Sequence, residues 1–362
     1  MSNKPVRLKA LDAQVCEALS DPEIFADLFN GSIFEGNQVV DPDSLRPCSE
    51  MQTLQVGAGT NDQETIKRIR DIKMEGHFLE GQPAVLLAVE AQREVHYGMP
   101  VRGMVYDGMD YSEQIKKIKK YNKRSNNLKS SSEYISGLSE TDHLIPVLTI
   151  VFYYGEGRSW EKPASLHDML RFPDVLLPWK QRFSDYSLNL VSSVNVNYAN
   201  FRTGLREVFE LLGVAHDKES LKKLLTEKRE YYSNLPKERS KLIAIFLEIP
   251  MLKKRPELFM GEDGGINMCT AINEMVRDGE LRGELRGELR GKELGMIEGQ
   301  EKGIKEGQEK GMIEGQEIGK RDGEKKYNEL VKILLKENRI EEIQRMTVDE
   351  DYRKQLYLEC NR

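Results

Sequence analysis

Residues 84–92 read AVLLAVEAQ, an almost continuous apolar run that ends in Glu90-Ala91-Gln92. Such a run, bounded by turn residues, predicts a strand buried on both faces. A carboxylate at its end pays a desolvation penalty unless something cationic compensates it. Side chains alternate along a strand, so Glu90 and Gln92 point to one face and Ala91 to the other. Just upstream, IKRIRDIKMEG (66–76) alternates apolar and charged residues and predicts a second strand, with Gly81-Gln82-Pro83 as the turn between them. If the two pair as a hairpin, Asp71 reaches the face that carries Glu90. Two carboxylates, a backbone carbonyl and water make an all-oxygen site suited to Mg²⁺ or another divalent cation. Asp71 between Arg70 and Lys73 is also compatible with a plain surface ion pair.

The flanking sequence builds an α/β pattern around this pair. SDPEIFADLFNGSIFEG (20–36) predicts a capped helix, with Ser20 or Asp21 as N-cap, Pro22 in the first turn and Asn30-Gly31 as the stop. Residues 37–63 read as loop; VGAGTND within them lacks the third glycine of a dinucleotide fingerprint. Residues 97–120 follow helical spacing despite Pro100, Gly103 and Gly108. HLIPVLTIVFYYGEG (143–157) predicts another buried strand, and LNLVSSVNVN (188–197) an edge or closing strand. After a short helix at SLHDML (165–170), the texture from about 200 to 275 is helical, with Leu205, Val208, Phe209 and Leu212 on one face. The expected organisation is a core over 1–198, a helical subdomain over 199–278, a repetitive arm over 279–324 and a short helical tail over 325–362.

Composition narrows the function. A net charge of −6 over 362 residues argues against wholesale coating of nucleic acid but leaves room for a local basic patch. KKIKKYNKRSNNLK (116–129) is such a patch: Lys116, Lys117, Lys119, Lys120, Lys123 and Arg124 can contact phosphates without reading sequence, or can form a solvated helix end. The four cysteines are widely spaced and form no CxxC pair, which points to a reducing, cytoplasmic setting. No apolar run approaches membrane-spanning length, so no membrane partner is expected. The histidines show no HExxH spacing, and there is no Walker A or G-x-S-x-G sequence.

The order Asp71, then a strand carrying Glu90-x-Gln92, then a helix with Arg102, Tyr106, Tyr111 and Gln114 resembles a PD-(D/E)xK nuclease core, with Gln in the position more often held by Lys. The resemblance sharpens in PEIFADLFNGSIFEG (22–36), RIRDIKM (68–74), AVEAQREVHYGMPVRGMVYDGMDYSEQIKKI (88–118) and HLIPVLTIVFYYGEGRSWEKPASLHDML (143–170). Together these are similar to the recombination-promoting nuclease and transposase (Rpn) family over roughly residues 20–280. The resemblance implies a restriction-endonuclease-like fold, a mixed central sheet flanked by helices, and a metal-dependent DNA endonuclease linked to recombination and mobile elements. It also implies roles. Asp71 and Glu90, with the Ala91 carbonyl, hold Mg²⁺; Gln92 orients the attacking water or a phosphate oxygen; Asp27 supplies an extra acidic group; Arg102 and Gln114 face the phosphate. An uncharged Gln stabilises a developing oxyanion less than Lys does. The alternative of another class is an inactive nuclease-fold protein that binds DNA or assembles through its arm; an RNase H-like transposase would need a further acidic residue.

Glycine then occupies every fourth position from Gly279 to Gly323. The period is close to 3.6, so these glycines form a stripe that drifts slowly around a helix. Each glycine costs about 1 kcal/mol relative to Ala, against about 0.2–0.5 kcal/mol returned by each Glu/Lys pair. The expectation is a marginal helix, a spacer or an element of self-association, with no catalytic groups.

Overall fold

The computed structural model describes residues 4–48, 51–56, 64–77, 84–155 and 159–360. A mixed five-stranded sheet flanked by helices forms the centre of a mostly helical chain. Its strands are β1 (Leu45–Pro47), β4 (Ile72–Gly76), β5 (Val85–Gln92), β6 (Val147–Tyr153) and β7 (Asn189–Ser192), in the order β1-β4-β5-β6-β7. β1, β4 and β5 pair antiparallel, whereas β5, β6 and β7 run parallel. β2 (Met51–Val56) and β3 (Glu64–Ile69) form a separate antiparallel pair. The single strand expected over 66–76 is therefore broken at Arg70-Asp71, and its two halves belong to different sheets. The expected Gly81-Gln82-Pro83 turn and most of VGAGTND lie outside the described residues.

β5 is the central strand, which is why its apolar run is continuous: Leu86 through Glu90 are all buried. Its odd-numbered residues Leu87 and Val89 join Ile72, Met74, Ile150, Phe152 and Val191 in the main core. That face is covered by α1 (Lys4–Leu19), through Leu11, Val15 and Leu19, and by α2 (Pro22–Ser32), through Phe25, Leu28 and Phe29. Helices after residue 205 close the same core through Leu205, Phe209, Ile243 and Ile272, so the sheet and the 199–278 helices share one interior. The opposite face, with Glu90, Thr149, Val151 and Tyr153, lies under α3 (Met99–Ser125).

Local signals account for α2. The Asp21 carboxylate accepts from the Glu23 and Ile24 amides, and Pro22 opens the first turn. Asn30-Gly31 does not end it, however. The Asn30 side chain is buried and holds the Val39 and Val40 backbone, while a Cβ on Gly31 would fall on the Phe201 ring. Gly31 thus serves close packing, and the helix runs on to Ser32.

The chain divides into two compact units, Met1–Asp278 and Gly279–Arg362. The glycine-periodic arm is helical throughout, within a single helix Met268–Lys336. A Cβ at any of its glycines from Gly279 to Gly323 would meet nothing within 4 Å. In the second unit, Leu330, Leu334, Met346 and Leu356 form a small core of their own.

Candidate functional site

The register of β4 and β5 pairs Ile72 with Val89. One step further sets Asp71 opposite Glu90, and side chains directly opposite in an antiparallel pair share a face. Asp71 itself sits in the bend before β4, and its Oδ2 accepts the Ala91 amide at 2.9 Å. A residue's N–H and C=O turn toward the same neighbouring strand, so the Ala91 carbonyl faces the Asp71 side as well. Gln92 is half-buried at the end of β5, on the Glu90 face. Its carbonyl accepts the Tyr154 amide, and its side-chain amide has no hydrogen-bond partner among the described residues.

Glu90 is fully buried. Arg102 Nη2 stands 2.9 Å from Oε2 and Arg70 Nη1 4.0 Å from Oε1, and neither oxygen is held by a side-chain hydrogen bond. Charge pairing and the Asp71 backbone amide, rather than side-chain donors, hold the carboxylate. Burial first, and then the neighbouring Asp71 charge, push the Glu90 carboxyl up to about 8, against the pull of Arg102 and Arg70.

A buried ion network carries this face. Arg70 has no exposed surface; its guanidinium donates to Asp110 Oδ2 (3.1 Å), Thr149 Oγ1 (3.1 Å) and Asp107 Oδ1 (2.6 Å). Lys73 Nζ donates to Asp110 Oδ1 at 2.9 Å. The Thr149 hydroxyl donates to Asp107 Oδ1 and the Tyr186 hydroxyl to Asp107 Oδ2. Burial and the Asp107 carboxylate raise the Tyr186 phenol above its ordinary range, keeping it a donor. Arg70 and Lys73, three apart in the chain, thus face Asp107 and Asp110, three apart on α3. The surface ion pair open to Asp71 on sequence grounds is corrected here: its two cationic neighbours turn to α3. Asp107, Asp110, Thr149 and Tyr186 were not singled out from the sequence; the i,i+3 aspartates on a helix otherwise spaced for burial were the available signal.

Several expected roles change. Arg102 does come to the site, but its charge faces Glu90 and its Nε donates to the Tyr106 hydroxyl at 3.1 Å. Gln114 does not face a phosphate: its amide donates to the Ile145 carbonyl and accepts the Ile145 N–H, at 3.0 and 2.7 Å. With Tyr111, whose hydroxyl accepts the Val147 N–H, it stitches α3 to the start of β6. Asp27 is likewise spent elsewhere. Its carboxylate accepts the Arg202 and Thr203 amides and the Thr203 hydroxyl, capping the turn before the helix Leu205–Val214. Lys116, Lys117, Lys119, Lys120, Lys123 and Arg124 are all exposed along the C-terminal half of α3, Lys117 in an i,i+4 pair with Glu113.

Among the described residues no group of three or more His, Cys, Asp or Glu side chains is gathered for a metal ion. On the Glu90 face the carboxylates of Asp71 and Glu90 lie opposite each other, and the Ala91 carbonyl turns toward the Asp71 side. All are hard oxygens, the donor type that a magnesium-type cation takes with water completing its shell. Counting Arg70, Lys73 and Arg102 against Asp71, Glu90, Asp107 and Asp110 leaves one carboxylate charge in excess, which a proton or a cation can neutralise. Among the described residues, no helix is long and apolar enough to cross a membrane, and the four cysteines form no disulfide. Set against models of known families, curated proteins and solved structures, the chain finds no match.

Proposed function

We propose that the protein is a divalent-metal-dependent DNA endonuclease with a PD-(D/E)xK core, related to the Rpn family. The observation that carries this reading is Glu90: a fully buried carboxylate set opposite Asp71, whose charge lies close enough to help raise its pKa. Such a group is costly to keep unless it serves something. Asp71, Glu90 and the Ala91 carbonyl would hold the cation, which supplies positive charge to acidify a water and to stabilise the departing oxygen of a phosphodiester.

The chain's own residues do the rest. Asp71 accepts the Ala91 amide through Oδ2, which fixes its carboxylate beside Glu90. Gln92, on the Glu90 face with a free side-chain amide, can donate to a phosphate oxygen or accept from the attacking water. Arg102 keeps Glu90 ionisable: by drawing its pKa down it opposes the burial and the Asp71 charge that favour the protonated form. The Arg70–Asp107–Asp110–Lys73 network fixes α3 over the sheet without contributing a reacting atom.

One observation favours a second reading. A carboxyl pushed up to about 8 is mostly protonated at neutral pH, and Arg102 already faces it when it does ionise, which suits a nuclease-fold protein that binds DNA without cutting it. Supercoiled plasmid incubated with the protein and Mg²⁺, beside Asp71→Ala and Glu90→Ala variants of unchanged circular dichroism, separates the two. Nicking by the parent and by neither variant is the expected result. Equal nicking by all three would overturn the assignment, and DNA retention without cleavage under any divalent ion would select the second reading.

A further inference from the structure

Between β6 and β7 the chain makes an excursion whose two ends are tied together. Leu166 donates its amide to Tyr186 O (3.0 Å), Leu188 donates to Ala164 O (2.8 Å), and Ser165 bridges Ser187. The acidic residues of these ends are engaged with backbone: Asp168 takes the Ala164 and Ser165 amides, and Asp185 takes those of His167 and Tyr186. Inside the loop Phe172 packs on Phe183 and His167. The crest is turned the other way. Val175, Leu177 and Trp179 are 76%, 53% and 58% exposed, and Arg171, Lys180 and Arg182 around them are exposed too. An apolar crest of this kind marks an interaction surface.

The mounting of the loop says what it serves. Tyr186, at its returning end, donates to Asp107 Oδ2 at 2.6 Å, and its ring lies 3.0 Å from where a Cβ on Gly103 would be. A side chain at 103 would crowd that ring, so Gly103 favours the close docking of the loop on α3. Asp107 in turn holds Arg70, which faces Glu90, and Arg102 beside Gly103 touches Glu90 directly. The loop is therefore anchored to the buried charge network that reaches Glu90. It stands on the same helix whose far half presents Lys116, Lys119, Lys120 and Lys123 to solvent. An uncharged partner would use the apolar crest alone; an anionic one also engages Arg171, Lys180 and Arg182. Among anionic partners, a nucleic acid is the one that the proposed carboxylate site under the same helix acts on.

We propose that Leu177-Pro178-Trp179 is a wedge that enters the base stack of DNA, with the Trp179 ring stacked on an exposed base and Lys180 and Arg182 on the flanking phosphates. This rests on the nucleic-acid reading of the carboxylate site and adds the substrate class: DNA already discontinuous or unstacked. Wedge insertion costs base stacking, and that cost is smallest where a base step is already open. Aromatic stacking of Trp179 on the opened base then offsets that cost.

The test uses the full chain in EDTA, with a fluorescein-labelled duplex and the same duplex carrying a one-nucleotide gap. The two tryptophans differ in burial, Trp160 being 4% exposed, so quenching on binding reports Trp179. The gapped duplex is expected to bind more tightly and to quench. Trp179→Ala should lose that preference on the order of 10-fold, and Trp179→Phe should keep most of it. A Lys180→Ala/Arg182→Ala variant should weaken both duplexes and lower the slope of log affinity against log salt by roughly 2. Absence of DNA binding, unquenched Trp179, or a Trp179→Ala variant that binds like the parent would overturn the proposal, as would quenching by phosphatidylserine vesicles or by self-association in place of DNA. Plasmid nicking with Mg²⁺ keeps the two readings apart. Nicking with no contribution from the loop leaves the nuclease and removes the wedge; loop-dependent binding without nicking does the reverse.

Discussion

Glu90 is the residue on which the proposed chemistry turns, and its titration gives a signed expectation. Its folded value of about 8 lies above the ordinary 4.5, so between these limits the folded chain keeps a proton that the unfolded chain has released. Stability from this group is then full below about pH 4.5 and is lost as pH rises toward 8, at a slope of roughly 1.4 kcal/mol per pH unit. Glu90→Gln mimics the protonated form and should flatten that part of the pH dependence, read as urea midpoints between pH 5 and pH 8. Metal affinity has the opposite sign, because cation and proton compete for the same oxygens. Nicking should therefore rise with pH until about 8 is passed. Arg102→Gln removes a charge that lowers the Glu90 value, so it should move the midpoint of the nicking profile to higher pH; an unmoved midpoint would mean that Glu90 is not the titrating group.

At the scale of elements, side chains expected at the DNA surface or the metal turn out to join secondary structures. Gln114→Ala leaves both the N–H and the C=O of Ile145 without their partner. Ile145 is half-buried, so the loss stays below the roughly 1–3 kcal/mol of a fully buried orphan, and a modestly lower urea midpoint at unchanged slope is expected. DNA affinity and its salt dependence should stay as they are. Asp27→Ala frees the Arg202 and Thr203 amides in the same way and should destabilise without changing metal affinity. In the arm, open space around each glycine means that Ala fits everywhere. Gly→Ala at Gly287, Gly291, Gly295 and Gly299 should stabilise the helix by about 1 kcal/mol each, seen as stronger 222 nm ellipticity and a higher melting point of that signal. A fall in ellipticity would show that the glycines meet a close partner in solution.

For the whole molecule, the two compact units and their separate cores carry a prediction about truncation. All of the candidate site, the sheet and the main core fall within Met1–Asp278. A chain ending at Asp278 should fold, keep the Glu90-linked pH dependence and nick plasmid at the parent rate. A truncated chain that fails to fold would show that the arm contributes to the first unit. Plasmid nicking lost in a truncated chain that still folds would give the arm a part in presenting DNA.

What was legible along the chain was whatever is encoded over a few neighbours. The apolar run of β5, the alternation that sets Glu90 and Gln92 on one face and the Asp21-Pro22 start of α2 all follow from backbone periodicity and local hydrogen bonding, which act over one or two turns. The break at Arg70-Asp71 was not legible, because Arg70 leaves the strand pattern to reach Asp107, 37 positions away. Nor was the commitment of Arg102 to Glu90, of Gln114 to Ile145 or of Asp27 to the 202–203 turn. A charged or amide group declares its chemistry in the sequence but not its partner. The partner is fixed only when packing removes water and leaves each buried polar atom the neighbours that the fold brings within reach.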